Sequence, residues 1–318
     1  MEQTRPIKFF VSGQVDCGKS TLIGYILFHT VNRLALDPAS HEATKYSDLL
    51  DVDQSERERG NTQFSSVNPF TWNGILFEAI DTPGHLIYIR ELINSISENK
   101  GSIGCLIISA IYKEFTSMFE NGTTKEDTIL MRSCGINHII VLVNKIDKPQ
   151  TDVDSVVDAF NKWVTKLGFK SITFVPISGF HGLNVFERIN PSAKCFIETL
   201  VDVHAKIKYN PLNQVRRELT TRVIKLRFQS FDIAKIIAVG YKSIFHIVEG
   251  NTNEMEGEIT KIKHPDTTRS MPFFRGNSCV ILHVTLQEEI TVFEHQRFIL
   301  RDAMTTIGFG TVIKGRIG

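Results

Sequence analysis

The amino-acid sequence predicts an α/β domain, doubly wound about a mostly parallel sheet, followed by an all-β barrel domain. Three observations carry that reading. From Ile7 to about His204, short β-branched apolar runs alternate with helical patterns, the rhythm of a parallel sheet covered by helices on both faces. A loop from Gly13 to Ser20 stands directly between the first of those runs and the first helical pattern. After a polar stretch at 206–218 containing Asn210–Pro211, strand-like runs separated by Gly, Pro and Asn take over, as in a barrel or sandwich of about 100 residues.

Element by element, the strands of the first part are Ile7–Ser12, Phe64–Phe70, Ile75–Ile80, Gly104–Ala110, Ile139–Asn144 and Ile172–Ile177. The helices are Lys19–Phe28, His85–Ser97, Lys125–Cys134, Ser155–Leu167 and Lys194–His204. In such a sheet, ligands bind at the carboxyl ends of the strands. The second part offers strands at Thr220–Phe228, Lys235–Val239, Ile244–Val248, Glu258–Lys263, Ser278–Leu286, Glu289–Phe293, Arg297–Arg301 and Thr311–Lys314. The predicted organisation is therefore a nucleotide-binding domain at 1–205, a linker at 206–218 and a barrel at 219–318.

Bulk properties narrow the function classes. With 42% hydrophobic and 22% charged residues among 318, the chain has the composition of a soluble globular protein. Its longest apolar runs, Ile103–Ala110 and His138–Val143, fall far short of the ~20 residues that span a bilayer, so no membrane helix is expected. Residues 1–8 lack an apolar core, which argues against a cleaved secretory signal. The five cysteines are scattered without metal-ligand spacing, as suits a reducing compartment, and the expected location is cytoplasmic. Charge is unevenly shared. From Lys206 onward there are 17 Lys+Arg against 11 Asp+Glu, and before it 19 against 24. A basic C-terminal part is compatible with an RNA partner.

Four motifs carry chemistry. Gly13-Gln-Val-Asp-Cys-Gly-Lys-Ser20 follows a strand and opens a helix, the context in which this spacing cradles phosphates. Backbone N–H groups from Gly13, Val15, Asp16, Cys17 and Gly18 turn inward on the oxygens, and the helix N-terminus adds its dipole. Lys19 neutralises the β- and γ-phosphates, Ser20 ligates Mg²⁺ and Thr21 donates to the α-phosphate. Asp81-Thr-Pro-Gly-His85 follows the strand Ile75–Ile80, which puts Asp81 where a carboxylate holds the water shell of Mg²⁺ and brings the Gly84 N–H to the γ-phosphate.

Asn144-Lys145-Ile-Asp147 follows Ile139–Val143. A carboxylate in the plane of the base accepts two N–H bonds from guanine and finds no such donor pair on adenine. Discrimination of this kind reaches on the order of 10⁴, so Asp147 chooses GTP over ATP and disfavours an ordinary metabolic ATPase. Ser178-Gly179-Phe180 follows Ile172–Ile177, where backbone N–H groups are placed for the guanine O6. In the charged segment 57–62, Thr62 is a candidate for a second hydroxyl on Mg²⁺.

In this order the motifs resemble the translational GTPases, especially elongation factor Tu and elongation factor 1-alpha. The carrying residues are Gly-Gln-Val-Asp-Cys-Gly-Lys-Ser-Thr at 13–21, Glu-Arg-Glu-Arg-Gly-Asn-Thr at 56–62, Asp-Thr-Pro-Gly-His at 81–85, residues 113–126, Asn-Lys-Ile-Asp at 144–147 and Pro-Ile-Ser-Gly-Phe-His-Gly-Leu-Asn at 176–184. The loop at 113–126 and the segment 176–184 resemble the eukaryotic or archaeal branch, which includes release-factor and ribosome-rescue GTPases. The resemblance implies that Thr62 belongs to the first switch, that 81–85 belongs to the second, and that His85 orients the attacking water. It also implies slow turnover until a partner orders the switches.

The chain departs from the family in three places. Residues 220–226 and 298–314 resemble the first and closing strands of the family's third domain, yet only 206–218 stands where a second barrel normally lies. That barrel helps hold the aminoacyl end of charged tRNA, so a full elongation cycle is doubtful. Gln14 replaces the usual His, and Asn61 an apolar residue that with Val15 forms a gate near the catalytic His85. Cys17 within the loop is oxidisable, or an inert small side chain. The sequence thus implies Mg²⁺-dependent GTP hydrolysis to GDP as a conformational switch, with tRNA, ribosome and an exchange factor as partners and no membrane. The alternative is a nucleotide-regulated protein-binding module, or a release- or rescue-type factor, with little hydrolysis.

Overall fold

A computed structural model describes residues 5–31, 66–82, 93–96, 102–207, 218–248, 254–267, 269–302 and 305–313. It divides into two compact units, Met1–Tyr209 and Asn210–Gly318.

The first unit is built on six strands: β1 (Ile7–Ser12), β2 (Ser66–Trp72), β3 (Ile75–Asp81), β4 (Ile103–Ser109), β5 (His138–Asn144) and β6 (Ser171–Pro176). They lie in the order β2-β3-β1-β4-β5-β6. All pairs are parallel except β2 with β3. Every residue of β4 is buried, as is nearly every residue of β5, because helices cover both faces. On one face α1 (Lys19–Thr30) and α5 (Phe196–Lys206) set Leu22, Ile23, Ile26, Phe196 and Leu200 against Phe9, Val11, Cys105, Ile107 and Leu142. The other face is covered by α2 (Tyr112–Glu120), α3 (Thr124–Cys134) and α4 (Val153–Val164). There the Phe115 ring meets Phe119 and Phe160, and Phe160 meets Phe174 of β6 edge-on at 6.3 Å.

The predicted strands and helices recur with shifts of a few residues, with one omission. Residues 113–126, read as a loop, contain α2. Its apolar side chains Phe115, Met118 and Phe119 sit at i, i+3 and i+4, the spacing of a one-faced helix, and Phe115 is buried. Of the predicted helix 85–97, residues 93–96 are helical; the remainder lies outside the described residues.

In the second unit β7 (Glu218–Ser230), β9 (Lys242–Val248), β10 (Glu254–Lys263), β13 (Cys279–Phe293), β14 (Arg297–Arg301) and β15 (Thr306–Val312) form the cycle β9-β10-β13-β7-β15-β14. The β9–β10 and β9–β14 pairings close it into a six-stranded antiparallel barrel. Short strands β8 (Ile237–Ala238) and β12 (Phe273–Phe274) pair with each other, and β11 (Ser270–Met271) pairs antiparallel with the end of β10. Leu226, Phe228, Phe245, Ile262, Leu282 and Phe298 fill the interior.

Two strand predictions are corrected. Ser278–Leu286 and Glu289–Phe293 are one strand, continuous through an irregular register between Thr285 and Ile290. The last strand is 306–312, not 311–314. Gly308 lies inside this strand, where a Cβ would collide with the Gln229 carbonyl, so it is a strand glycine required by close backbone approach.

Candidate functional site

The parallel sheet delivers three turns to one edge. β1 leads into the loop 13–18, β5 into Lys145–Gln150 and β6 into Ser178–Phe180. Between them lies a cleft of about 590 Å³, lined by Asp16, Gly18, Thr21, Asn144, Lys145, Asp147 and Phe180, and also by Ile111, Glu114 and Lys148–Gln150. Candidate phosphate and base residues chosen from three separate motifs thus share one cavity.

The phosphate loop is shaped by its own backbone. Gly18 has φ +101°, and a Cβ on it would fall onto the Asn144 amide nitrogen, so no larger residue fits. Lys19 is buried and its Nζ donates to the carbonyls of Gly13 at 2.8 Å and Gln14 at 3.1 Å, which holds the loop curled around the ammonium. Gly13 and the Cys17 N–H, bonded to Gln14 O at 3.3 Å, complete the curl. Cys17 is wholly buried, and burial pushes its thiol up, favouring the inert form over a reactive thiolate. Ser20 and Thr21 open α1, and Val15 lies half-buried in the loop.

Behind the loop stands a residue the sequence reading passed over. Asp127 of α3 is buried and accepts from Thr123 Oγ1 at 3.1 Å. Desolvation pushes its carboxyl up to about 7, against the opposing pull of the Lys19 charge and the Thr123 hydrogen bond.

Asn144 is a strut. Its side chain is buried, Nδ2 donates to Cys17 O at 2.9 Å, and Oδ1 accepts from Gly179 N at 2.8 Å. One amide therefore ties the phosphate loop to the β6 turn. Ser178 N donates to Leu183 O, and Ser178 Oγ accepts from His181 N. The N–H groups of Ser178 and Gly179, expected to face a base, are both committed within the protein. Asp147 is mostly buried, with Lys148 Nζ and His181 Nε2 at 3.7 and 3.8 Å from its carboxylate. Lys145, with φ +73°, pairs with Glu114 at 2.8 Å.

Asp81 ends β3, fully buried, paired in register with Val11. Thr82 Oγ1 donates to Val11 O at 2.9 Å, so this carboxylate leaves the sheet beside the phosphate loop. Ser20 and Asp81 supply hard oxygen donors, a set that fits Mg²⁺ when phosphate oxygens and water complete its shell. No cluster of three His, Cys, Asp or Glu that could hold a metal exists among the described residues. Thr62, Gly84 and His85, and the gate residue Asn61, lie outside the described residues.

The barrel carries a separate charged face. Across β10, β13 and β7, Lys261 lies opposite His283 and His283 opposite Lys225; one step on, Lys263 lies opposite Ile281 and Ile281 opposite Arg227. These side chains alternate with the buried Ile262, Leu282 and Leu226, so they point outward. Burial, then the charges of Lys225, Lys263 and Lys261, hold the His283 imidazole below its usual range.

Comparison with known proteins bears on the family and the fold. The family described as "Elongation factor Tu GTP binding domain" matches residues 4–227, and "Elongation factor Tu C-terminal domain" matches 215–315. The release factor GTP-binding subunit of Schizosaccharomyces pombe is 35% identical over 199 residues, 57% of this chain and 30% of that protein. Elongation factor 1-alpha of Aeropyrum pernix is 34% identical over 205 residues, 59% of this chain and 46% of that protein. The chain's matches thus span less than half the length of these curated relatives. The S. cerevisiae Ski7 GTPase-like domain, solved with GDP and inorganic phosphate, superposes with TM-score 0.75 at 15% identity, covering 98% of both chains, a likeness of fold. With its GTP-binding-domain match covering more than half of the sequence and a phosphate loop, an Asp147 turn and a closing barrel in the expected order, the chain belongs to the translational GTPase family.

Proposed function

We propose that the chain binds GTP, hydrolyses it to GDP and phosphate, and uses the exchange as a conformational switch on a tRNA- or ribosome-containing partner. The observation that carries this reading is the single cleft that joins the Gly18–Thr21 end of the phosphate loop to Asp147. Asp147 accepts the guanine N–H pair, the loop and Lys19 hold the phosphates, and Ser20, with Thr62 and, through water, Asp81, would hold Mg²⁺. A bound Mg²⁺ would supply neutralisation of the phosphate charge. Gly84 belongs at the γ-phosphate and His85 at the attacking water, and hydrolysis is slow until a partner orders them. The cationic face of Lys225, Arg227, Lys261 and Lys263 supports an RNA-bearing partner, since cations at strand spacing suit a phosphate backbone. A cytoplasmic location fits this role, and no described helix is long and apolar enough to cross a membrane.

The matches to the GTP-binding and C-terminal domains overlap at 215–227, which supports the reading that no second barrel stands between them. This argues against a conventional elongation cycle and keeps a release- or rescue-type role as the alternative reading. GTP turnover measured with and without ribosomes and charged tRNA tests the proposal: ribosomes are expected to accelerate it, and a rate unmoved by either partner rejects the translational role. Asp147→Asn is expected to shift preference from guanine toward xanthine nucleotides; unchanged GTP affinity would reject the base assignment.

A further inference from the structure

Lys145 belongs to the turn that follows β5, and Glu114 lies 31 residues earlier on α2. The fold brings the two together deliberately. Ser109 at the end of β4 lies opposite Asn144 at the end of β5. Ala110 N donates to Asn144 O at 2.7 Å, Asp152 N donates to Ala110 O at 2.9 Å, and Ile111 bridges to Thr151. The start of α2 is thereby pinned to both ends of the turn that holds Lys145 and Asp147.

From this fixed base Glu114 Oε2 reaches Lys145 Nζ at 2.8 Å and accepts from Ser109 Oγ at 2.8 Å. Ser109 Oγ in turn accepts from Ile111 N at 3.1 Å, and Ser109 is buried. Burial raises the Glu114 carboxyl, but the hydrogen bonds from Lys145 and Ser109 outweigh it and hold the group below the usual range, so it is ionised at neutral pH. Glu114 and Lys145 both line the cleft beside Asp147 and Phe180.

Resting on the nucleotide-binding reading above, we propose that Glu114 is a positioning residue: it orders the Lys145 side chain along the cleft wall before the guanine nucleoside arrives. An isolated ion pair at a protein surface contributes little. This one differs because the buried Ser109 hydroxyl also donates to the carboxylate and ties it to the end of β4. A flexible lysine must otherwise be immobilised at the moment of binding, which weakens affinity about threefold to tenfold.

The test is a double-mutant cycle read by the dissociation constant and off-rate of a fluorescent GDP. Glu114→Ala is expected to weaken GDP binding about threefold to tenfold, mainly through faster dissociation. In a Lys145→Ala background the same change is expected to have an effect below about twofold, because the side chain it orders is gone. Glu114→Gln falls between, since its amide oxygen still accepts from Lys145 and Ser109; it carries the cycle should the alanine variant fail to fold. An undiminished loss in the Lys145→Ala background, or no loss in the wild-type background, overturns the inference while leaving the proposed function standing. Absence of GDP binding by the folded wild-type protein overturns both.

Discussion

Truncating Asn144 to Ala separates two roles for this residue, contact with a base and support of the loops around it. In the structure both ends of its amide are committed, to Cys17 O at 2.9 Å and from Gly179 N at 2.8 Å. The side chain is only 4% exposed, so water does not readily replace either bond. Leaving a buried donor or acceptor unpaired costs about 1–3 kcal/mol; two of them, partly relaxed by local movement, predict a loss of about 2–5 kcal/mol. The protein has two tryptophans, Trp72 at the end of β2 and Trp163 in α4, and both belong to the first unit. Urea unfolding followed by tryptophan fluorescence without nucleotide therefore reports on that unit directly. Asn144→Asp should not restore stability, because a carboxylate cannot donate to Cys17 O. A variant that unfolds like the wild type yet loses GDP affinity would refute the strut and restore Asn144 as a base contact.

Asp127 predicts a pH dependence opposite in sign to that of an ion-paired carboxylate. Its native value of about 7 lies above the ordinary 3.8, so its contribution to folding is complete below about pH 4 and is lost as pH rises through 7, up to roughly 4 kcal/mol. Asp127→Asn should flatten that decline in tryptophan-monitored urea unfolding between pH 5 and 8; parallel pH profiles for variant and wild type would contradict it. Replacing Lys225, Arg227, Lys261 and Lys263 together by Ala should weaken RNA binding and flatten its salt dependence, each cation removed lowering the log–log slope by about 0.7–0.9. GDP affinity should be unaffected. An unchanged salt slope would show that RNA, if bound, sits elsewhere.

What was legible in the sequence follows the range of the interactions involved. The loop at 13–20 could be read because its geometry is local: Gly13, Gly18 and Lys19 shape the backbone and helix end they themselves form. The parallel sheet could be read because the buried strands β4 and β5 are continuous apolar runs. Helix α2 escaped because it lies in a segment whose family likeness suggested a loop, although Phe115, Met118 and Phe119 carried its period. With it went Glu114, whose role depends on Ser109 and Lys145 and hence on the pairing of β4 with β5. Asn144 was identified but its partners were not, since Cys17 is 127 residues away and Gly179 is 35. These hydrogen bonds bear on how the proposed base site works. If Asn144 and the Ser178 and Gly179 N–H groups are spent on the scaffold, guanine selection falls chiefly on Asp147. The remaining turn residues then matter through how firmly they hold that carboxylate in place, so substitutions around Asp147 should alter affinity for all purine nucleotides together, and only substitution of Asp147 should change which purine is preferred.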